Sequence, residues 1–367
     1  MAARVTITDV ARAAGVSVAT VSKVLNDRYG VASATSEHVR EVIAGLGYES
    51  SLVARSLRSH RTHVIGILVA EFEPFSTEIL KGAAEALGDT GYELLAYTGG
   101  RHNEGAGWER RYLSRLSGTL IDGAVLVTPT VVDVQTTVPV VAIDPHQGPS
   151  GLPTVDSDNL GGAIRATEHL LELGHRRIGL VAGRPDLESS RLREEGYRQA
   201  LGAAGIPVDP ALVRVGDYRK TSSRGPATEL LSMPDRPTAV FAANDQSAIS
   251  TIEVAHELGL RVPEDLSVIG FDDIPESRTT TPPLSTVRQP IQQMGATAIE
   301  LLIALLDGTT VESTHVRLPT TLVRRASTAP VPVPVVPATV PRPAAEQPSA
   351  EHAPAQQPSS AEVTARS

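Results

Sequence analysis

The hydrophobic pattern near the amino terminus predicts two short helices joined by a tight turn. Apolar residues recur about every 100° along both segments, so each helix turns one apolar side toward the other. Gly15 stands where the first helix must end, because this position favours a positive φ, and Ser17 is suited to cap the second. The apolar sides consist of Val10, Ala11 and Ala14 in the first helix and of Thr20, Val21 and Val24 in the second.

The opposite side of the second helix carries nothing bulky that would prevent close approach to a groove. A helix-turn-helix motif presents its second helix to the major groove of DNA in this way. An ordinary helical hairpin has the same spacing, so the pattern by itself leaves DNA binding and a plain helical core both open. A third helix, ended by Gly47, is expected to complete this small domain. The outward residues are Val18, Ala19, Ser22, Lys23 and Asn26.

From residue 63 the pattern changes to short, continuous apolar runs that alternate with helical segments. A run such as Val64–Val69 is typical of a buried strand in a parallel sheet. The same rhythm restarts at 177–183, which indicates two halves of similar fold. The alternation predicts an α/β body of doubly wound parallel sheets, whose ligands bind beyond the carboxyl ends of the strands. Further strands are expected at 92–97, 123–127, 138–143, 239–243, 266–271 and 322–325, with helices around 79–87, 108–116, 193–204 and 247–258.

Composition and charge narrow the classes of function. The 367 residues include no cysteine, which excludes disulfides and thiolate metal sites. No apolar run reaches the roughly 18 residues of a membrane span, and no signal-peptide segment is visible, so a cytoplasmic protein without membrane contact is expected. The net charge is −9, yet residues 1–63 carry an excess of three positive charges. A basic head on an acidic body suits a protein that touches phosphate with one end.

The segment TITDVARAAGVSVATVSKVLN resembles the amino terminus of the lactose-repressor (LacI/GalR) family of bacterial transcription regulators, and the resemblance covers about residues 4–328. It implies an all-α helix-turn-helix DNA-binding domain at 1–49 and a hinge helix with linker at 50–62. A two-lobed periplasmic-binding-protein-like body at 63–326 would bind the effector and dimerise. Residues 327–367, rich in Pro, Ala, Ser and Gln, are predicted to form a disordered tail.

The resemblance also implies partners and DNA contacts. A homodimer would bind double-stranded operator DNA and respond to a small-molecule effector, expected to be a sugar. In the hinge, Leu57 matches a leucine that wedges into a central base step, with Ala54 and Arg55 beside it in the minor groove. A plain linker with Leu57 packed on the body is the alternative. Ser50 and Ala32 depart from the proline and serine that are usual at those positions. The implied DNA-contacting residues are Thr6, Ser17, Val18, Ala19, Thr20, Ser22, Lys23, Asn26, Ala54, Arg55 and Leu57.

Polar residues follow several predicted strands, at the place where the cleft of a doubly wound fold lies. Carboxylates, an arginine and an aromatic face make a usual sugar-recognition set, although each acid alone could equally be a helix cap or loop residue. Tyr218 matches a stacking aromatic of carbohydrate-responsive members, and Glu73 replaces the usual asparagine before Pro-Phe. Arg193 is expected to open the helix after Gly183. The implied effector-binding residues are Phe75, Asp144, Arg193, Tyr218, Asn244 and Asp272.

Three alternatives to a ligand-responsive repressor remain. An enzyme is not expected, because the chain has no P-loop, dinucleotide fingerprint, nucleophile elbow or metal-ligand spacing; hence no cofactor and no metal are expected either. A transport-type sugar-binding protein conflicts with the DNA-binding head and the absence of a signal segment. An architectural DNA-binding protein would leave the α/β body unexplained. A nucleobase or another non-sugar effector with the same DNA-binding role stays open.

Overall fold

The structure, a computed structural model, describes residues 5–25, 28–48, 61–99, 107–131, 136–149, 151–309 and 313–331. Four residues with a predicted DNA contact lie outside these ranges: Asn26 and the hinge residues Ala54, Arg55 and Leu57. The tail beyond residue 331 also lies outside them.

Three helices build the head around one small core, as the periodicity predicts. They are α1 (Ile7–Ala13), α2 (Val18–Leu25) and α3 (Ser33–Leu46). Gly15 and Gly47 adopt positive φ values of 66° and 60°, which lets the chain turn after α1 and end α3. The Ser17 hydroxyl accepts a hydrogen bond from the Thr20 amide at 3.1 Å and caps α2. The fully buried apolar core consists of Val10, Ala11, Ala14, Val21, Val24 and Val39.

Twelve described strands form the two sheets of the body. The first sheet has the order β11-β5-β4-β3-β1-β2, and the second has the order β12-β10-β9-β8-β6-β7. All neighbours within the sheets run parallel except β10 and β12, which are antiparallel. The predicted doubly wound lobes are therefore confirmed. The strands are β1 (Val64–Val69), β2 (Glu93–Thr98), β3 (Gly123–Val127), β4 (Val140–Ile143), β5 (Thr154–Ser157), β6 (Ile178–Ala182), β7 (Val213–Val215), β8 (Ala239–Ala242), β9 (Ser267–Asp272), β10 (Ser285–Arg288), β11 (His315–Leu318) and β12 (Thr321–Val323).

Seven described helices cover the sheets, and the chain passes between the lobes three times. It leaves the first lobe after β5, returns after β10 and crosses again after β11. The last helix packs closely on the first lobe after this return, since a Cβ atom on Gly295 would lie 2.2 Å from the Ile79 carbonyl oxygen. No helix in the described ranges is long and apolar enough to cross a membrane. The body helices are α4 (Pro74–Leu87), α5 (Trp108–Leu116), α6 (Asn159–Glu172), α7 (Glu188–Ala203), α8 (Lys220–Leu231), α9 (Asp245–Glu257) and α10 (Ile291–Leu306).

Both predicted boundaries of the body need correction. Thr62, assigned to the linker, belongs to the first lobe, because its amide and hydroxyl donate to Asp122 at 2.6 and 2.8 Å. Residues 327–331, assigned to the disordered tail, are packed on the second lobe. Ser327 is completely buried and its hydroxyl donates to the Val268 carbonyl at 2.6 Å, while the Val331 amide donates to Leu173 at 3.0 Å. These short ends lack apolar periodicity, because polar bonds to distant residues hold them.

Candidate functional site

A cavity of about 530 Å³ lies between the lobes, beyond the carboxyl ends of the parallel strands. Its walls come from the segments that follow β1, β3, β4, β6, β7, β8 and β9, which is where a doubly wound fold binds ligands. The structure therefore brings together residues that are up to about two hundred positions apart in the sequence. All six residues that the resemblance assigned to the effector line this cavity: Phe75, Asp144, Arg193, Tyr218, Asn244 and Asp272.

Arg193 is held rigidly in the wall of the cavity. It lies in the second turn of α7, so the expectation that it opens this helix is wrong, since α7 begins at Glu188. Its side chain is 4 % exposed, and its Cζ lies 3.9 Å from the centroid of the Phe271 ring. Nε donates to Asn159 Oδ1 at 2.9 Å, and Nη1 donates to the Ala243 carbonyl. A planar guanidinium fixed in this way is pre-organised for directional hydrogen bonds.

Asp272 faces Arg193 directly across the base of the cavity. The Oδ1 atom of Asp272 lies 3.4 Å from Arg193 Nη1 and accepts a second hydrogen bond from Gln289 Nε2 at 2.6 Å. Burial raises the pKa of the Asp272 carboxyl to about 7, although the nearby Arg193 charge acts in the opposite direction. The two side chains therefore contact each other and form one polar surface.

The backbone of Tyr218 is locked in a left-handed conformation with φ 60°. Asn244 secures this conformation, because its Nδ2 donates to the Tyr218 carbonyl at 2.8 Å while its Oδ1 accepts from the Ser247 amide at 3.0 Å and caps α9. The Tyr218 hydroxyl is buried beside Ser189 and has no hydrogen bond of standard geometry in the described part of the chain. That oxygen is therefore a polar atom that a bound molecule can satisfy.

Two further carboxyl groups, those of Asp144 and Glu73, line the cavity from the first lobe. Burial raises the pKa of both, against the lowering influence of Arg193 on Asp144 and of the Ser76 hydrogen bonds on Glu73. The Glu73 carboxylate caps α4 by accepting from the Phe75 and Ser76 amides, each at 2.7 Å. The glutamate that replaces the usual asparagine therefore serves as a helix cap with its oxygens already engaged.

Polar pairs join the two lobes at the mouth of the cavity. Arg219 of the second lobe lies 3.0 Å from the Glu71 carboxylate of the first. His146 Nδ1 lies 3.3 Å from the Asp186 carboxylate, and the Glu188 amide donates to the His146 carbonyl at 2.9 Å. These contacts bridge the two lobes beside the cavity in their present arrangement.

Sequence reasoning missed several residues of the cavity wall. Gln289 follows β10, a four-residue strand that shows no clear apolar run, so its place at a strand end could not be recognised. Trp108 was assigned to a helix only, although the chain contains a single tryptophan and that rarity was a usable signal. His146 and Ser189 reach the cavity from loops and helix starts without any local pattern.

The described DNA-contacting candidates of the head fall into two groups. Ser17, Val18, Ala19 and Lys23 are exposed on α2 and the turn before it, and Ser22 is half-buried. Thr6 and Thr20 instead take part in helix capping, since Thr6 Oγ1 accepts from the Asp9 amide at 3.3 Å and the Thr20 hydroxyl pairs with Ser17 at 2.9 Å. The outward arc of α2 is thus the accessible surface, whereas Thr6 caps α1 and Thr20 pairs with the residue that caps α2.

Comparisons with known proteins agree with both parts of the molecule. Residues 6–51 match the family model of bacterial regulatory proteins, lacI family, and residues 167–328 match the periplasmic binding protein-like domain. The chain is similar to the ribose operon repressor of Escherichia coli (strain K12), at 37 % identity over 333 residues that cover 88 % of this chain and 99 % of that protein.

Two solved structures share the fold over nearly all of their length. The lac repressor dimer bound to operator and the anti-inducer ONPF has a TM-score of 0.78 at 30 % identity, covering 89 % of this chain and 100 % of that one. The complex of the transcriptional regulator CelR with cellobiose has a TM-score of 0.67 at 36 % identity, covering 88 % and 100 %.

Proposed function

The chain belongs to the LacI family of bacterial regulatory proteins, and from this premise we propose that it is a transcriptional repressor whose operator affinity falls when a small carbohydrate binds between its lobes. It acts as a homodimer on a palindromic operator, in the cytoplasm and without catalysis. The observation that carries the proposal is the convergence of Arg193, Asp272, Asp144 and Tyr218 on one cavity between the lobes, in a chain that also exposes a helix-turn-helix surface.

The chemistry of the cavity favours a neutral polyhydroxyl ligand. Three carboxyl groups, those of Glu73, Asp144 and Asp272, share the cavity with the buried guanidinium of Arg193. A hydroxyl group donates to a carboxylate and accepts from a guanidinium, so adjacent hydroxyls of a sugar can pair with both. The other cations that line the cavity, Arg184, Arg219 and Lys220, are each paired with a carboxylate, so an anionic ligand such as a sugar phosphate would have to displace an existing ion pair. The ribose and cellobiose in the names of similar proteins support the same class.

Operator contact is assigned to the exposed arc of α2. Lys23 supplies a positive charge there, and the small side chains of Val18 and Ala19 permit close approach to base edges in a major groove. By the family resemblance, the hinge residues Ala54, Arg55 and Leu57 add minor-groove contacts, and Asn26 extends the α2 surface. Two heads related by a twofold axis would read two half-sites about one helical turn apart.

The effector proposal is tested by calorimetry and thermal shift with D-ribose, cellobiose, D-ribose 5-phosphate and hypoxanthine. We expect saturable binding of a neutral sugar and none of the phosphate ester. Asp272→Asn and Arg193→Ala should each weaken sugar binding by about 1–3 kcal/mol, because buried partners lose their hydrogen bonds. Both variants should still bind operator and repress, with no response to sugar. Saturable hypoxanthine binding, with no response to any sugar, would refute the carbohydrate class.

The DNA proposal is tested by fluorescence anisotropy with a palindromic segment of the DNA upstream of the protein's own gene. Lys23→Ala should lower operator affinity by about 1–3 kcal/mol and leave sugar binding unchanged. Arg12→Ala is the matched control, since it removes one exposed positive charge from α1 of the same head. An equal loss in the two variants would indicate a general charge effect and would remove Lys23 from the operator surface.

A further inference from the structure

Five buried residues close a ring of hydrogen bonds through the base of the cavity. The Ser157 hydroxyl donates to Gln289 Oε1, and Gln289 Nε2 donates to Asp272 Oδ1 at 2.6 Å. Arg193 Nη1 lies 3.4 Å from the same Asp272 oxygen, and Arg193 Nε donates to Asn159 Oδ1 at 2.9 Å. Asn159 Nδ2 returns to the Ser157 carbonyl at 3.2 Å. Each of the five residues is at most 6 % exposed.

The ring joins effector-site residues to two of the crossings between the lobes. Ser157 ends β5 of the first lobe, and Asn159 opens α6 of the second, so the first crossing lies between them. Gln289 lies in the second crossing, between β10 and α10. Any rotation of one lobe against the other must alter the relative positions of Ser157 and Gln289. The ring is therefore intact only over a narrow range of lobe orientations.

Arg193 and Asp272 each have an atom outside the ring that can bind a ligand. Arg193 Nη2 and Asp272 Oδ2 bond to no residue in the described ranges, and both residues line the cavity. The atoms used by the ring and the atoms open to a ligand belong to the same two rigid groups. A ligand that fixes the orientation of Arg193 against Asp272 must also favour closure of the ring, and a closed ring must favour the ligand.

We propose that Ser157 and Asn159 are positioning residues that couple occupancy of the effector cavity to the orientation of the lobes. The inference rests on the proposed function, because it uses the carbohydrate effector and the operator response. A ligand shifts an equilibrium only as far as its affinities for the two states differ, and the ring is what makes one lobe orientation better for the ligand than another. Weakening the ring lowers that difference without removing a ligand contact.

Two variants open the ring at different bonds. Ser157→Ala removes the link to Gln289, and Asn159→Asp keeps an acceptor for Arg193 Nε but loses the donor to the Ser157 carbonyl. Thr320→Val is the matched control. Thr320 is a buried residue of the third crossing, and its hydroxyl donates to the Asp158 carbonyl at 3.1 Å without a bond to the ring.

The first measured quantity is the ratio of the operator Kd with saturating D-ribose to the operator Kd without it. The second is the Kd for D-ribose, measured by calorimetry. We expect both ring variants to lower the ratio about fivefold or more, while the D-ribose Kd changes less than about threefold. Thr320→Val should leave the ratio near that of the wild type. An unchanged ratio in the ring variants, or an equal fall in Thr320→Val, overturns the inference.

A second measurement tests the ring without any ligand. The urea unfolding midpoint of the full chain is compared for Ser157→Ala, Asn159→Asp and the double variant. Either single change already opens the ring, so the midpoint of the double variant should fall by clearly less than the sum of the two single decreases. Additive losses would overturn the ring. A wild-type protein that binds neither D-ribose nor cellobiose would count against the proposed effector class, whereas this double-variant result would still decide the ring on its own.

Discussion

The ring of Tyr218 lies against the backbone of Gly183, so closely that a Cβ atom on Gly183 would come within 2.2 Å of the ring carbon Cζ. Gly183 follows β6, and Tyr218 follows β7 on the neighbouring strand of the second sheet. The absence of a side chain at Gly183 is therefore what allows the aromatic ring to line the cavity. Asn244 fixes the Tyr218 backbone, so the ring cannot simply rotate away with its main chain.

Gly183→Ala should displace the Tyr218 ring, at a cost of about 1–3 kcal/mol in folding stability from overpacking a close contact, and should thereby weaken D-ribose binding. Operator binding without sugar should be unchanged. Calorimetry and anisotropy measure the two effects separately. Gly202→Ala in α7 is the control, since its Cβ atom would meet nothing within 4 Å. If Gly183→Ala binds D-ribose as tightly as Gly202→Ala does, the ring has no part in holding the sugar.

The pair between Arg219 and Glu71 should contribute a small, salt-sensitive stabilisation of the present arrangement of the two lobes around the cavity. Both side chains are more than a third exposed, and exposed pairs of this kind contribute about 0.2–1 kcal/mol. Arg219→Ala should therefore weaken D-ribose binding up to about fivefold at low salt. The effect should be largely lost at about 1 M salt, where screening acts within about 3 Å.

Arg214→Ala provides the comparison for this pair. Arg214 bonds to Glu229 at 2.8 Å within the second lobe, so its loss removes an ion pair that does not cross the cavity. We expect no change in D-ribose affinity for Arg214→Ala at any salt concentration. A salt-independent loss in Arg219→Ala would show that Arg219 does not act through its charge on Glu71.

Asp272 should make the protein less stable as the pH rises from about 5 to about 7. Its folded-state pKa is raised by burial to about 7, above the ordinary value of an aspartate, so the folded state binds the proton more tightly than the unfolded state. The stabilisation that comes from this tighter proton binding is fully present at acid pH, and it is lost as the pH rises through the folded-state pKa of Asp272. The change is at most about 1.4 kcal/mol per pH unit.

Urea unfolding of wild type and Asp272→Asn at pH 5, 6, 7 and 8 measures this effect. The unfolding free energy of Asp272→Asn should change less with pH than that of the wild type, whatever the absolute stability of the variant. Asp265→Asn is the control, because hydrogen bonds from Arg261 lower the pKa of Asp265 and this group does not titrate in that window. Parallel curves for wild type and Asp272→Asn would show that Asp272 stays ionised throughout.

Residues 327–331 should contribute measurably to stability, whereas the chain beyond them should not. Truncation after Ala326 removes Ser327 and its bonds to Val268 and Ser285 at 2.6 and 2.8 Å, and also the Ala329 contacts with Ser267. At about 0.5–1.5 kcal/mol per hydrogen bond, the loss of these three bonds should lower the unfolding free energy by about 1.5–4.5 kcal/mol. Truncation after Val331 should leave the urea midpoint unchanged. Equal stability of the two truncated chains would contradict the packed role of 327–331.

Much of the fold could be predicted from local sequence patterns. The predicted β1, α5 and β3 coincide with the observed elements at both ends, because each is an apolar run or a helical repeat with its own boundaries. The head helices follow from periodicity and from Gly15 and Ser17. The site could be predicted in part, since Asp144 directly follows β4, Asn244 lies two residues after β8 and Asp272 ends β9, and strand ends of a parallel sheet converge.

The remaining features of the fold and of the site depend on contacts that only the tertiary structure brings together. Strand β5 (Thr154–Ser157) is wholly buried although three of its four residues are polar, because it pairs with β4 and β11. The roles of Ser157 and Gln289 depend on a bond across 132 positions. Ser327 is buried by bonds to residues 42 and 59 positions away. Apolar periodicity depends on neighbouring residues and can therefore be recognised in the sequence, whereas polar pairing between distant residues exists only after the sheets have assembled.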